Sequence, residues 1–543
     1  MEVATIKKFR FGRKKEESKG LFQGILERIK TLKEELYMDN DLLFILTYMA
    51  SISTAQISRD KIFEKTSEKR EYAPSKYFSK IKDLAQKWHY DYATACELIA
   101  RKVKHERVKN LLNRFSNAIS AGEPDREFLE KEWKVFKTVR KDEFERCLES
   151  LRKWTDAYTA LTVSTSLVSI VILLSVIIYK VGDPAQTLYT TAFFILLISF
   201  MGVALLYKSV PKDVKTHNLR IKSREQRIVA KWMPVSLIIS LLLIFLMSVI
   251  PTFFNPEMFV FNGIDLKGFG LISAGLVMLP VGFVGRNDDI KISKRDESFT
   301  VFIRNLGAIV SGAGLSIAEA LTKIDQKNLG ELKDLAYQLY KRLAMGLDPK
   351  LCWEKFIGES GSYLIHKLTS IFVDAVDLGG DADVIGDLVS SSNLEMVLLR
   401  MKRDLISSGF ISLVIPLHLA MVSLLLFISQ ILTIFTKLIT TLFSQYSISG
   451  EKLKNVPGIV GGMNIGIFSG IPLDLLYQYT LVVVLIITTA NIFAAKIVKG
   501  GATYMIFYYG AILCILSGIA MIVIPPAVSM AFTFPSFVEG GGG

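Results

Sequence analysis

The chain has 543 residues, half of them hydrophobic by count, 22% charged, with a formal net charge of +13. Its mean hydropathy of +0.36 exceeds that of an ordinary soluble chain, yet the charged fraction is too large for membrane spans alone. The 34 Phe and 19 Tyr exclude a disordered chain, and the positive balance needs no nucleic acid, since cytoplasmic loops of membrane proteins retain Lys and Arg.

Residues 1–40 form a basic N-terminal segment in which Lys7, Lys8, Arg10, Arg13, Lys14 and Lys15 precede no apolar stretch, unlike a secretory signal. Residues 41–158 read as a first cytoplasmic helical module. Four spans follow within 159–285, at roughly 161–179, 187–207, 232–252 and 266–285, each near the about 20 residues that a hydrocarbon core requires. The connection 208–231 holds Lys208, Lys212, Lys215, Arg220, Lys222, Arg224, Arg227 and Lys231 against Asp213 and Glu225, a net +6. The positive-inside rule places it in the cytoplasm. The connections 180–186 and 253–265 carry almost no basic residue after Lys180, so the N-terminus is expected inside and the C-terminus outside.

A second cytoplasmic helical module is expected over 286–407. Leu332, Leu335, Ala336, Leu339 and Leu343 recur at helical spacing, as do Phe302, Leu306, Ile309 and Ala313, and Leu364, Leu368, Ile371, Phe372 and Ala375. Residues 408–539 then supply three or more spans, at 408–430, 478–498 and 505–530, with an external segment at 447–477. Residues 431–446 either prolong the fifth span past Lys437 or form a short re-entrant piece, which leaves seven to nine spans. The run Gly540–Gly543 has no packing side chains and reads as a scar or frayed tail. The fold class is all-α, a polytopic membrane protein with about seven transmembrane helices and two repeated helical modules.

Shifted by 258 positions, the modules align. Phe44-Ile45 falls on Phe302-Ile303, Ala50 on Ala308, Ser53 on Ser311, Ala55 on Ala313 and Ser58 on Ser316. The same shift puts Gly122 on Gly380, Asp125 on Asp383 and Ser150 on Ser408. In both copies about 110 residues of helical bundle run straight into a span, so we read a duplication. The copies differ in charge: residues 1–156 carry 34 basic and 26 acidic side chains, residues 286–407 carry 16 and 18. That difference suggests different partners, or different faces of one.

Three elements of the second copy resemble the type II secretion F domain. Residues Ala313 to Leu321, with Gly314, Leu315, Glu319 and Ala320, resemble its AGL-x-x-x-EAL stretch; Met345-Gly346-Leu347-Asp348, with Cys352 through Phe356 beyond, is similar to its glycine turn and following helix. Gly379-Gly380-Asp381-Ala382-Asp383-Val384 lies where the family has a Gly-Glu pair, a pair kept better as Gly122-Glu123 in the first copy, and Pro416 also fits. On the residues alone, Gly314 and Gly346 suit turns of positive φ, while Glu319 and Asp348 suit the first turn of a helix. Two modules with four spans between them look most like the archaeal branch of the family, the membrane platforms of type IV pilus-like filaments and of the archaellum. The resemblance implies a cytoplasmic ATPase and pilin-like filament subunits as partners, with a homodimer as a further option. The eight basic residues of 208–231 are the candidate ATPase contact.

No P-loop occurs, since Gly458-Ile459-Val460-Gly461-Gly462-Met463 is not followed by Lys-Ser/Thr. The four cysteines (Cys96, Cys147, Cys352, Cys514) lie far apart without clustered His, and the five His (His89, His105, His217, His366, His418) form no pair at ligand spacing. No cofactor, metal or nucleic-acid partner is expected, and no enzyme activity. Two rivals remain. A transporter would use paired polar groups at midplane, for which His418, Lys437 and Asn491 offer themselves. An intramembrane aspartyl peptidase would need Asp288 or Asp289 with Asp381, whose Leu378-Gly379-Gly380-Asp381 lacks the first glycine of GxGD.

Overall fold

The computed structural model describes residues 38–179, 183–254, 260–261, 264–447 and 473–532. The Lys7–Lys15 run, the Gly458–Met463 run, most of the segment 447–477 and Gly540–Gly543 lie outside the described residues. The chain divides into two compact units, Met1–Glu145 with Lys212–Ile221 and Ile292–Leu399, and Arg146–Pro211 with Lys222–Lys291 and Arg400–Gly543. Its helices are α1 (38–53), α2 (Arg59–Glu68), α3 (Ser75–Trp88), α4 (Tyr92–Ala100), α5 (Glu106–Ser120), α6 (Asp125–Tyr179), α7 (Pro184–Ser209), α8 (Arg224–Ile244) and α9 (Ile250–Phe254). They continue with α10 (Phe269–Ala313), α11 (Ile317–Lys323), α12 (Lys333–Ala344), α13 (Pro349–Ser360), α14 (Tyr363–Asp377), α15 (Ala382–Ser447), α16 (Leu473–Lys499) and α17 (Met505–Ala531). Among the described residues the only ladder pairs Val260–Phe261 with Ile264–Asp265. Helices α6, α10 and α15 each contribute residues to both units.

In the first unit the six helices from α1 to the start of α6 repeat as the end of α10 to the start of α15. The caps repeat too. Ser58 caps α2 by accepting from the Lys61 amide, and Ser316 caps α11 by accepting from the Glu319 amide. Asp91 caps α4 and Asp348 caps α13, each through a short side chain that satisfies an orphan helix donor. Both copies share one continuous core, from Phe44, Phe63, Phe115 and Trp133 to Phe302, Phe356 and Phe372. Helix α1 is buried on every side, as a hydrophobic central helix must be. Polar contacts also cross between copies: the Trp133 Nε1–H donates to Ser392 Oγ at 3.0 Å, and Lys137 Nζ donates to Ser391 Oγ at 2.8 Å.

The α5–α6 and α14–α15 junctions correct the repeat register. The Gly122 amide donates to Ile119 O and the Glu123 amide to Ala118 O; the Gly379 amide donates to Val376 O and the Gly380 amide to Ala375 O. These are two Schellman caps with the same bonding. Gly122, at φ 72°, therefore corresponds to Gly379, at φ 87°, and not to Gly380. The one-residue slip arises because the segments between the α1-like and α5-like helices differ in length, which a constant shift cannot follow.

The second unit contains the seven apolar stretches. Seven helices among the described residues are long and apolar enough to cross a membrane. The stretch expected at 431–446 continues α15 as one helix to Ser447, so it prolongs the fifth span and is not a re-entrant piece, and the count among the described residues is seven. Helix α16 is the most enclosed of the seven. It is tied by Tyr479 to Ser169 of α6 (2.8 Å), by Gln478 to Tyr189 of α7 (2.7 Å) and by Thr480 to Ser429 of α15 (2.9 Å). Helices α10 and α17 approach through small residues. A Cβ on Gly275 would lie 2.6 Å from Ile515 Cγ1 and 2.9 Å from Ala511 O, and one on Gly282 would lie 2.6 Å from the Tyr508 backbone. Without a hydrophobic drive between spans, such backbone proximity and its dispersion contacts supply much of the association.

Candidate functional site

Three equivalent positions in each copy carry a positive φ, and the second copy adds two of its own, Gly330 (φ 45°) and Gly361 (φ 73°). In the second copy the equivalent three are Gly314 (φ 60°), Gly346 (φ 74°) and Gly379 (φ 87°); in the first they are Gln56 (φ 53°), His89 (φ 55°) and Gly122 (φ 72°). Gln56 and His89 thus occupy the places of Gly314 and Gly346. The signal was in the repeat, because Ala55 already aligned with Ala313 and Ser58 with Ser316. A Cβ at Gly122, Gly314, Gly346 or Gly379 would meet nothing within 4 Å, so these glycines serve backbone conformation and not close packing. Just beyond Gly314 and Leu315, Ser316 and Glu319 form a reciprocal capping box, and Ala320 is buried beneath it. Asp381 accepts from Ser311 Oγ at 3.0 Å and from the Asp383 amide at 3.1 Å, which makes it the cap of α15.

The tips that follow these turns are apolar and exposed in both copies. Trp88 is 72% and Tyr90 46% exposed on either side of His89, while Met345 is 61% and Leu347 41% exposed around Gly346. The sequence reading missed this pair, because neither tip is apolar enough to stand out until the repeat register equates them.

The basic connection does not behave as one patch. Helix α7 runs to Ser209 and α8 begins at Arg224, leaving only 210–223 between helices. Lys212, Lys215 and Arg220 belong to the first unit, whereas Lys208, Lys222, Arg224, Arg227 and Lys231 belong to the second. The segment 212–221 is built into the first unit as a strap. Lys215 O accepts from the Tyr363 amide (3.0 Å), Thr216 bridges Ser362, and His217 Nε2 lies 3.1 Å from Gly358 O. Gly358 is required there, since a Cβ would lie 2.5 Å from Ile221. Lys208, Arg220, Arg224, Arg227 and Lys231 are exposed, and Lys212, Lys215 and Lys222 are half-buried.

Charge also joins the two copies. Lys69 pairs with Asp374, and Lys367 pairs with Glu71 at 2.9 Å while lying 4.2 Å from the Tyr72 ring centroid. Burial raises the Glu71 carboxyl, but the charge and hydrogen bond of Lys367, with His366 and Lys69, bring it below the usual carboxylate range. Burial, aided by the charges of Lys367 and His217 and opposed by Glu71, holds His366 down at about 4.

In the second unit a buried polar chain crosses four helices. Tyr158 Oη donates to Asn491 Oδ1 (2.9 Å), and Asn491 Nδ2 donates to His418 Nδ1 (3.1 Å). His418 Nε2, which then carries the proton, faces Ser517 Oγ at 2.8 Å, and Ser517 meets Thr488 at 2.9 Å. Every member is buried, and each finds a partner, as apolar surroundings demand. Also in the second unit, Asp288 accepts from the Ser223 and Tyr504 hydroxyls. Arg403 donates to Val498 O (3.2 Å), Ile497 O (2.9 Å) and Pro211 O (3.3 Å), closing the carbonyl end of α16. Asp381 lies in the first unit, as the cap of α15, and Asp288 and Asp289 lie in the second, where Asp288 is a hydrogen-bond acceptor. The four cysteines are free, with only Cys147 exposed.

The family model described as type II secretion system (T2SS), protein F, matches twice, at residues 45–173 and 302–433, which are the two structural copies. The chain is 27% identical over 502 residues to the Flagella accessory protein J of Methanocaldococcus jannaschii, covering 89% of this chain and 84% of that one. It is 24% identical over 328 residues to the Flagella accessory protein J of Methanococcus voltae, covering 59% of this chain and 57% of that one. No solved structure matches. With one domain found twice, each copy ending in a span, and seven helices among the described residues long and apolar enough to cross a membrane, the chain carries two type II secretion system protein F domains and is a multi-pass membrane protein.

Proposed function

We propose that this protein is the membrane platform of an archaellum-type filament machine. The observation that carries the reading is the similarity to Flagella accessory protein J along 89% of the chain, which reaches beyond the F domains into the spans. In this reading the first unit faces the cytoplasm, where a hexameric ATPase docks on it, and filament subunits leave the bilayer along the second. Rotation would be the same stroke expressed in an assembled filament. The platform has no reaction of its own and uses the ATPase as its source of work.

The duplicated tips around His89 and Gly346 suit a partner that offers the same apolar pocket more than once, as a ring of identical subunits does. Exposed Arg220, Arg224 and Arg227 add a salt-sensitive attraction. Co-purification of the ATPase with the full-length protein tests both. Trp88→Ser combined with Met345→Ser is expected to abolish capture at any salt, and Arg→Glu at the three arginines to weaken it at low salt. Unchanged capture by both variants would overturn the docking assignment.

A further inference from the structure

Helices α8 and α10 enclose a groove of 340 Å³, lined by Ile228, Trp232, Val235 and Ile239 from one side and by Val277 and Pro280 from the other. Ser236 Oγ donates to Val277 O at 3.0 Å and pins the two walls together. The lining is almost wholly apolar, and it occupies a span, where an apolar groove by itself would be unremarked. What distinguishes it is its mouth. Arg224, Ile228, Lys231 and Val235 follow one another at i, i+4, i+7 and i+11, one stripe of α8, so the cations continue the groove's own wall. Lys231 Nζ lies 5.8 Å from the Trp232 ring centroid, which fixes one positive charge at the rim. Arg224, Arg227 and Lys231 are exposed. The carboxylate of that turn, Glu225, is drawn away to Lys291 at 2.7 Å.

We propose that this groove binds one anionic phospholipid, with an acyl chain between α8 and α10 and the phosphate headgroup on Arg224, Arg227 and Lys231. The apolar lining and the positive charge at its mouth together match a lipid, which joins an apolar chain to a charged headgroup. Three clustered cations at a membrane surface then favour an anionic headgroup over a zwitterionic one. The site makes no use of the ATPase or of filament subunits and stands whether or not the platform reading holds.

Trp232 supplies the probe. The full-length protein in mixed micelles is titrated with phosphatidylglycerol brominated in its acyl chains, or with equally brominated phosphatidylcholine. The quenching that disappears in Trp232→Phe is then followed. Half-quenching is expected at roughly tenfold lower mole fraction of the anionic lipid. Arg224→Glu, Arg227→Glu and Lys231→Glu together should bring the two lipids level, and Val277→Phe should raise the mole fraction needed for either. Equal half-quenching by both lipids in the unaltered protein would overturn the proposal. So would anionic quenching untouched by Val277→Phe, which would place the headgroup on the cations without a chain in the groove. Absence of quenching by either lipid would mean that a second copy or another helix covers the groove, and would overturn it equally.

Discussion

The paired left-handed positions allow one substitution to be made in two backgrounds with opposite expectations. Gly346→Ala puts a Cβ on a residue at φ 74°, where nothing lies within 4 Å of it. Packing therefore contributes nothing, and the cost is that of left-handed backbone for an L-residue, about 1–2 kcal/mol. His89 occupies the equivalent position at φ 55° and already bears that cost. Its side chain is exposed, so His89→Ala changes neither strain nor burial and should stay within about 0.5 kcal/mol. For a unit of this size each kcal/mol moves the melting midpoint by about 2–4 °C. Intrinsic-fluorescence melting in detergent should then show Gly346→Ala, Gly314→Ala and Gly379→Ala each lowered by several degrees, with Gln56→Ala and His89→Ala unchanged. The argument fails if the glycine variants melt with the parent, or if Gln56→Ala and His89→Ala fall as far as they do.

Three other outcomes follow from the packing and charge described. His418→Leu strips partners from Asn491 and Ser517 inside the second unit and should cost about 1–2 kcal/mol, Tyr158→Phe less; equal melting of the parent and His418→Leu would contradict the polar chain. Gly275→Leu drives side-chain atoms into Ile515 and the Ala511 carbonyl and should destabilise by about 1–3 kcal/mol or more, whereas a Cβ at Gly409 meets nothing within 4 Å, so Gly409→Leu should be accepted. A gel-filtration profile disturbed by both, or by neither, would refute that contrast. Acidification should destabilise the first unit in two steps. His366, neutral when folded and held down at about 4, must charge on unfolding, so its contribution is complete above about pH 6.5 and is lost as pH falls toward 4. Glu71, whose folded value lies below its unfolded one, contributes above its unfolded value and loses that below it. His366→Gln should flatten the first step, and an identical pH–melting profile would show the assignment wrong.

Much of this was legible in the residues. Each span announced itself by length and apolarity, because a bilayer imposes the same requirement on every crossing helix. Glu319 and Asp348 marked helix starts through local chemistry alone, the first falling in the first turn of α11 and the second one position earlier than expected, as the cap of α13. What depended on tertiary structure was hidden. That both copies share one core could not be read from either amphipathic pattern, since a buried face does not name its partner. The connection 208–231 read as a free basic loop because charge reports topology, whereas its incorporation beside Ser362 and Gly358 rests on backbone bonds that leave no compositional mark. The constant repeat shift failed at Gly122 for a similar reason, since a single added residue costs nothing in a loop and everything in a register. Arg403 passed unnoticed because one arginine before a span is what the topology rule expects; its three carbonyl partners come from residues distant in sequence.

The central claim is that the chain is an assembly platform, and deleting its gene tests that most directly. Electron microscopy for filaments, with immunoblotting of membranes for the filament subunit, should show no swimming filaments and processed subunits stranded in the membrane, both reversed by the intact gene. Filaments of unchanged number and length in the deleted cells would contradict the account, and unprocessed precursors would point instead to peptidase activity.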